Sequence, residues 1–399
     1  MKKSILALAV LGSLPGAVWA ANPGVQLYGL IDMGVTHYTG LAPQGGAAGQ
    51  TVSSTGLSGS VQSGSRIGVK GDEDLGNGLS SIFDVETGFC STGVNQDGTA
   101  ADTSPKAMSN GFCSAGGFMQ RQAWVGLKGD FGTLQMGRMY TIGLLNEADV
   151  DPFNLGLTGD ISNLALFGSQ GHFALVRANE DVQYTSPDLS GFTLAGAYSF
   201  APFGQGAEPT GSGAGTNVPR DLSLNVAYAR GPIAAGLDYT AISNSPYGLS
   251  AAGIDSGKMS VWQAYGTYDL GVAKLRGLYE RATGDYAFGT TTGQAGNANQ
   301  YWLLGATVPL GRGTILASIG EARIDQNSVF QATSVYGTAR QYAVGYTYAL
   351  SKSTNVFASY SRISNDAHTA FAVGSATDVL SGVAGQASTG AALGIRHMF

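Results

Sequence analysis

Apolar and polar residues alternate one by one along most of this chain. The first clear run places Val25, Leu27, Gly29, Ile31, Met33 and Val35 on one side, with Gln26, Tyr28 and Asp32 on the other. A period of two marks a β-strand whose two faces meet different surroundings. A Gly/Ser/Thr-rich connection is expected from about Tyr38 to Val61. A strand then opens with Ser65-Arg66-Ile67-Gly68-Val69-Lys70, followed by a tight turn within Gly71 to Gly78. The next strand, Leu79 to Phe89, sets Phe83, Val85 and Phe89 against Asp84 and Glu86.

The pattern settles into a repeating unit of strand, short turn, strand and long polar loop. Val182 to Phe200 turns at Ser186-Pro187-Asp188, Leu222 to Ala241 at Gly231-Pro232, and Val261 to Arg281 at Asp269-Leu270-Gly271. Trp302 to Arg323 turns at Pro309 to Arg312, and Tyr342 to Ile363 at Leu350-Ser351-Lys352. Tyr342, Val344, Tyr346 and Tyr348 share an outward face against Gln341, Ala343, Gly345 and Thr347. Such aromatics near strand ends suit a membrane-interface girdle. The chain stops on a strand, with Ala391, Leu393, Ile395, His397 and Phe399 on one face. About sixteen strands, seven short turns and eight long loops result. The expected fold is all-β: a transmembrane antiparallel up-and-down β-barrel of about 16 strands, closed so that no strand edge is left unpaired in hydrocarbon.

Composition sharpens this picture. Only 12 % of residues are charged and 61 of 399 are glycine, against about a quarter charged in a soluble domain. No apolar run after the N-terminus has membrane-helix length. Met1-Lys2-Lys3, an apolar stretch from Ile5 to Leu14 and Ala17-Val18-Trp19-Ala20 read as a secretory signal, so residues 1–20 are expected to be cleaved and 21–399 to form a single barrel domain. Acidic side chains outnumber basic ones, 27 to 21, with no basic cluster, which argues against nucleic acid as a partner. Cys90 and Cys113 lie in one polar segment of a secreted chain and are expected to form a disulfide. Closing that loop would contribute roughly 3–4 kcal/mol in the chain-entropy model.

One connection stands apart. A strand ends at Tyr140 and no strand pattern resumes until about Phe173, a gap too long for an idle loop. It carries Glu147, Asp149 and Asp151, and the Asp151-Pro152-Phe153 corner predicts an ordered bend. The expectation is that this loop folds into the tube and narrows it, so that the function is diffusion through a constriction.

The segments VQLYGLIDMGV, SRIGVKGDEDLGNGL, RQAWVGLKGDFGTLQMGRMY, NEDVQYTSPDLSGFTLAGAYSF and the terminal GIRHMF resemble the general porins of Gram-negative bacteria, particularly the β-proteobacterial type. The resemblance covers essentially the whole chain after the leader. It implies a homotrimer of sixteen-stranded barrels with the third long loop in the lumen, set in outer-membrane lipid and lipopolysaccharide. It also implies that the terminal Phe399 is read by the outer-membrane assembly machinery. Met398 departs from the basic penultimate residue common in close relatives.

Charges in the narrowest section of a pore set its preference. Arg66 shares a face with Gly68 and Lys70, and it matches a member of the family's basic ladder. Arg121 lies in the matching strand with Trp124 on the opposite face, and Arg177 shares parity with Asp181 and Gln183. Arg138 groups by parity with Leu134, Met136 and Tyr140, so it either lines the pore or anchors the loop or a neighbouring subunit. Lys274 and Arg276 also read as inward. Opposite the arginines stand Glu147, Asp149 and Asp151, which would set up a transverse field, although one of them could instead cap backbone N–H groups. The wall arginines lean the expected preference toward anions. No hydrolase, zinc-protease or phosphate-loop motif is present. His37, His172 and His368 fall at strand tips or in loops, and His397 at the rim. The expected protein is thus not an enzyme: it is an outer-membrane channel for passive diffusion of small hydrophilic solutes and ions, without cofactor or metal. The alternatives are a solute-specific channel and a barrel adhesin.

Overall fold

The alternating runs become one continuous antiparallel sheet that curls until its last strand meets its first. The computed structural model describes residues 24–43, 49–89, 91–92, 119–165, 176–202, 219–245, 257–284, 297–326, 335–376 and 380–399. The leader segment, Cys90, Cys113 and His172 lie outside the described residues. The strands of the first half are β1 Gln26–Leu41, β2 Val52–Gly59, β3 Arg66–Gly76, β4 Leu79–Gly88, β5 Gln122–Gly129, β6 Gly132–Tyr140, β7 Arg177–Thr185 and β8 Phe192–Ser199. Those of the second half are β9 Arg220–Arg230, β10 Ile233–Ser245, β11 Gly257–Asp269, β12 Lys274–Gly284, β13 Asn297–Leu310, β14 Gly313–Gln326, β15 Val335–Ala349, β16 Thr354–Asn365 and β17 Ser388–Met398.

Seventeen segments make sixteen staves, because β2 and β3 share one place. β1 pairs its upper half with β2, from Met33 opposite Gly59 to Leu41 opposite Val52, and its lower half with β3, from Leu30 opposite Arg66 to Gln26 opposite Lys70. Half of the polar connection expected between Tyr38 and Val61 is therefore strand, the end of β1 and all of β2. Its Ser/Thr/Gly-rich face hid the alternation, which needs apolar residues to show. β3 likewise runs on to Gly76, leaving only Asn77 and Gly78 as the turn. Closure comes from β1 against β17, with Leu30 opposite Met398. Gly29 and Phe399 exchange both backbone hydrogen bonds at 3.0 Å.

The outer face is the apolar set that the period predicted, including Leu27, Val35, Leu224, Leu237, Leu304, Val344 and Leu393. Aromatic pairs band it at two levels. Phe192 and Tyr228 lie 4.8 Å apart near the short turns, and Tyr239 and Trp262 lie 4.6 Å apart toward the long loops. No helix among the described residues is long and apolar enough to cross a membrane, which bears only on helices.

The interior is not uniformly wet. The third long loop leaves β6, forms the helix α1, Ile142–Val150, and then a 3-10 turn, Ile161–Asn163, before returning to β7. A second inward loop, between β16 and β17, lays Phe371, Ala372 and Val373 against Ile161, Leu164 and Ala165 of loop 3. Beneath them the inward positions of β12 to β16 include Leu278, Tyr301, Leu303, Ile324 and Ile363, interleaved with the buried polar groups Glu280, Gln341 and Ser361. Burial of this set, together with hydrogen bonds such as Gln263 to Glu280 and Gln341 to Gly159, fills that side of the tube, and the cavity lies along the other side.

Candidate functional site: a cavity between a basic wall and loop 3

The open space is a cavity of about 230 Å³ bounded by β1, β3 to β6 and β17 on one side and by loop 3 on the other. Alternation delivers its wall. Ile67 faces outward, so Arg66 and Lys70 face in. Arg66 Nε and Arg121 Nε approach the two oxygens of Glu86 at 3.5 and 2.6 Å. Tyr28 Oη donates to Asp84 at 2.7 Å, and Lys70 Nζ stands 5.1 Å from the centre of the Tyr28 ring.

Arg121 precedes β5, in a bend, and strand parity does not govern it. Its side chain turns inward together with Gln122 and Trp124, whose Nε1 donates to Gln122 Oε1 at 3.2 Å, so Trp124 is not on the opposite face. Tyr140 Oη joins two of the arginines, accepting from Arg121 Nη2 at 2.5 Å and Arg177 Nη2 at 2.8 Å. The Arg177 guanidinium also stacks over that ring at 4.4 Å. Arg66 and Arg121 line the cavity, while Arg177 stands behind Tyr140. Arg138 is turned into the wall. It donates to the Gln120 carbonyl at 2.5 Å and to Asn179 Oδ1 at 2.6 Å, and it is not part of the cavity lining. Its place follows from a register shift between β6 and β7 at Gly137 to Met139.

The three acids of loop 3 do not oppose this wall. Glu147 is wholly buried toward Tyr301 of β13, and Asp149 lies beside Arg276 of β12, whose guanidinium donates to the Asp149 carbonyl. Asp151 caps its own loop, accepting from the backbone N–H groups of Phe153, Leu155 and Ile161 at 3.0, 2.9 and 3.3 Å. Spacing by two puts residues on one face of a strand, but Glu147 and Asp149 sit on a helix, where two steps turn by about 200°. The helix instead presents Leu144, Leu145 and Ala148 to the cavity. The loop carboxylate that lines it is Asp160, engaged with the Ser162 N–H at 2.8 Å.

Two parts of the site went unread in the sequence. Arg396 of β17 lines the cavity and donates to Asn355 Oδ1 at 3.1 Å and Ser63 Oγ at 2.9 Å. The signal was present, because placing Leu393 and Ile395 outward places Arg396 inward. The other is the break between β2 and β3. There Asp32, wholly buried, gathers the N–H groups of Val61 at 2.7 Å, Gln62 at 3.1 Å and Ser63 at 3.2 Å. The chain thus bulges inward, and the Val61 carbonyl accepts from Leu157 N of loop 3 at 2.7 Å. Gly156 is a glycine by necessity, since a Cβ there would lie 2.0 Å from the Gln62 carbonyl oxygen. This latch and the second inward loop hold the tip of loop 3 from two sides.

Among the described residues no group of three or more His, Cys, Asp or Glu could hold a metal ion. What remains is a narrow, charged, water-accessible passage in a membrane-spanning barrel. A family model described as Gram-negative porin matches residues 7–368. The chain is a Gram-negative porin. It is 29 % identical to outer membrane porin protein 32 of Delftia acidovorans and 28 % identical to an outer membrane porin protein of Bordetella pertussis, each match covering all of both chains. Among solved structures, the anion-selective porin from Comamonas acidovorans superposes with a TM-score of 0.71 at 26 % identity, covering 94 % of this chain and 99 % of that one. The porin family and fold are those of channels. This porin resides in the Gram-negative outer membrane and forms a water-filled channel for passive diffusion of small hydrophilic solutes.

Proposed function

We propose that this porin admits small hydrophilic anions in preference to cations. The observation that carries the reading is the placement of charge along the narrow cavity. Arg66, Lys70, Arg121 and Arg396 are fixed on its wall, while Glu147, Asp149 and Asp151 are turned away from it. The four cations of the lining outnumber its three side-chain carboxylates, Asp84, Glu86 and Asp160, so the net local field is positive. The relative from Comamonas acidovorans is described as anion-selective, which supports the same reading. The test is the zero-current potential of the purified porin in a planar bilayer under a tenfold KCl gradient. A potential of the sign set by chloride supports the proposal, and one set by potassium refutes it.

The working unit in this proposal is a homotrimer in lipid and lipopolysaccharide. A solved neighbour from Vibrio cholerae, 14 % identical, is described in a trimer form. Cross-linking of the purified porin that stops at dimers or never passes the monomer would refute it. The leader 1–20 is removed before assembly in this reading, and the mass of the mature chain tests that directly. This reading also pairs Cys90 with Cys113 in a disulfide, and resistance of the mature chain to thiol labelling until it is reduced tests that.

A further inference from the structure

We propose that the cavity between loop 3 and the basic wall retains organic anions that carry an apolar body, small aromatic monocarboxylates above all. The inference rests on the anion reading and adds the substrate class. Its ground is the unlike chemistry of the two sides of one narrow passage. On the wall, Arg66 and Lys70 offer cationic donors. Across from them, loop 3 presents a strip of Leu144, Leu145, Ala148 and Leu155, with Asp160 the one carboxylate it adds to the lining.

That strip is built against local preference. Leu155 holds a left-handed backbone at φ 55°, a conformation that a glycine adopts without strain and a leucine does not. Its side chain packs on the apolar clusters behind loop 3 and still lines the cavity. Leu145 is half-buried, lines the cavity and belongs to neither cluster. The lining carboxylates do not outweigh the cationic side: Glu86 is shared between Arg66 and Arg121, and Asp84, Glu86 and Asp160 together are fewer than Arg66, Lys70, Arg121 and Arg396.

A chloride or acetate ion meets only the charged side here. An aromatic carboxylate meets both, its carboxylate on Arg66 or Lys70 and its ring on Leu145 and Leu155. A volume of about 230 Å³ lies just under the roughly 300–1,000 Å³ of drug-sized pockets, which suits a single small ring. Partial burial of a ring against the leucines predicts retention stronger than that of acetate by on the order of tenfold.

The experiment is block of single-channel chloride current in a planar bilayer by potassium benzoate and potassium acetate, with the zero-current potential read in the same membrane. The expected result is half-block by benzoate at roughly a tenth of the acetate concentration. Leu145→Asn brings benzoate to the acetate level, and Leu145→Met keeps it near wild type. Equal block by the two anions in a wild-type channel that still favours chloride overturns this proposal and leaves the anion channel standing. A channel that favours potassium overturns both. Unchanged benzoate block in Leu145→Asn also overturns it.

Discussion

Replacing Asp32 with alanine is expected to loosen loop 3 without opening the barrel. The carboxylate accepts from three successive backbone N–H groups, Val61, Gln62 and Ser63, at 2.7 to 3.2 Å. Hydrogen bonds to a charged group contribute about 1.5–3 kcal/mol each, and a buried donor left unpaired costs about 1–3 kcal/mol. Ser63 lines the open cavity and Gln62 is half-buried, so water can pair with them after the substitution. Val61 is wholly buried, and its N–H has no such recourse. The net local loss is therefore set mainly by one group, about 3 kcal/mol, or roughly a hundredfold rise in the detached state of the latch. Detachment removes the Val61 carbonyl from Leu157 N and frees Ser63 from Arg396. Single-channel recording reads this as greater open-channel noise and closure at lower voltage, with Asp32→Asn intermediate because it keeps an acceptor oxygen. The reasoning fails if a correctly folded Asp32→Ala porin, verified by its heat-modifiable mobility, shows wild-type noise and closing voltage.

Other consequences follow from the same packing. Gly305 of β13 is the socket for loop 3, since a Cβ there would stand 2.4 Å from Pro152 Cγ. Gly305→Leu adds about 1–3 kcal/mol of overpacking and pushes loop 3 toward the basic wall, so conductance falls; equal or higher conductance contradicts this. Asp151, sealed in loop 3, is pushed up to about 7, first by burial and then by the charge of Asp160. A raised carboxyl favours the protonated native form, so its contribution to loop stability is full below the ordinary value of 3.8 and is lost as pH rises through about 7. Channel noise is expected to fall from pH 8 to pH 5, with Asp160→Asn moving the midpoint down; noise that is flat or rises in acid rules this out. Deleting Phe399 removes both backbone bonds to Gly29, and the folded fraction in the outer membrane is expected to drop, whereas full recovery of folded porin would show that closure does not depend on it.

Much of the barrel was legible because it rests on a single rule. A strand with lipid on one side and water or polar groups on the other must alternate, and Tyr342 to Gly345 or Leu393 to Arg396 do so without exception. The rule failed where its premise failed. Val52–Gly59 is a strand of Ser, Thr and Gly with little apolar signal. The bend at Arg121 and the register shift beside Arg138 reset parity within one or two residues. In loop 3 the acids were grouped because they lie close together in the sequence, but a helix carries Glu147 and Asp149 and turns them apart, while Asp151 takes the capping role left open for one of them. The packed side of the lumen was hidden for a different reason: Leu303 and Ile363 face inward because two loops cover them, and alternation does not say what lies on either side. Phe371, Ala372 and Val373, an apolar run inside a polar loop, were the one local hint of that cover.

The account stands on the claim that the water path runs along one side of the lumen, between loop 3 and the basic wall. Cysteine labelling during current recording tests it most directly. Lys70→Cys lies in the path and Ser361→Cys lies beneath Thr158 of loop 3, wholly buried. With an anionic methanethiosulfonate reagent, the account predicts prompt loss of current through Lys70→Cys, and no effect on Ser361→Cys or on the wild type. Equal reactivity at the two sites, or an inert Lys70→Cys, would contradict it.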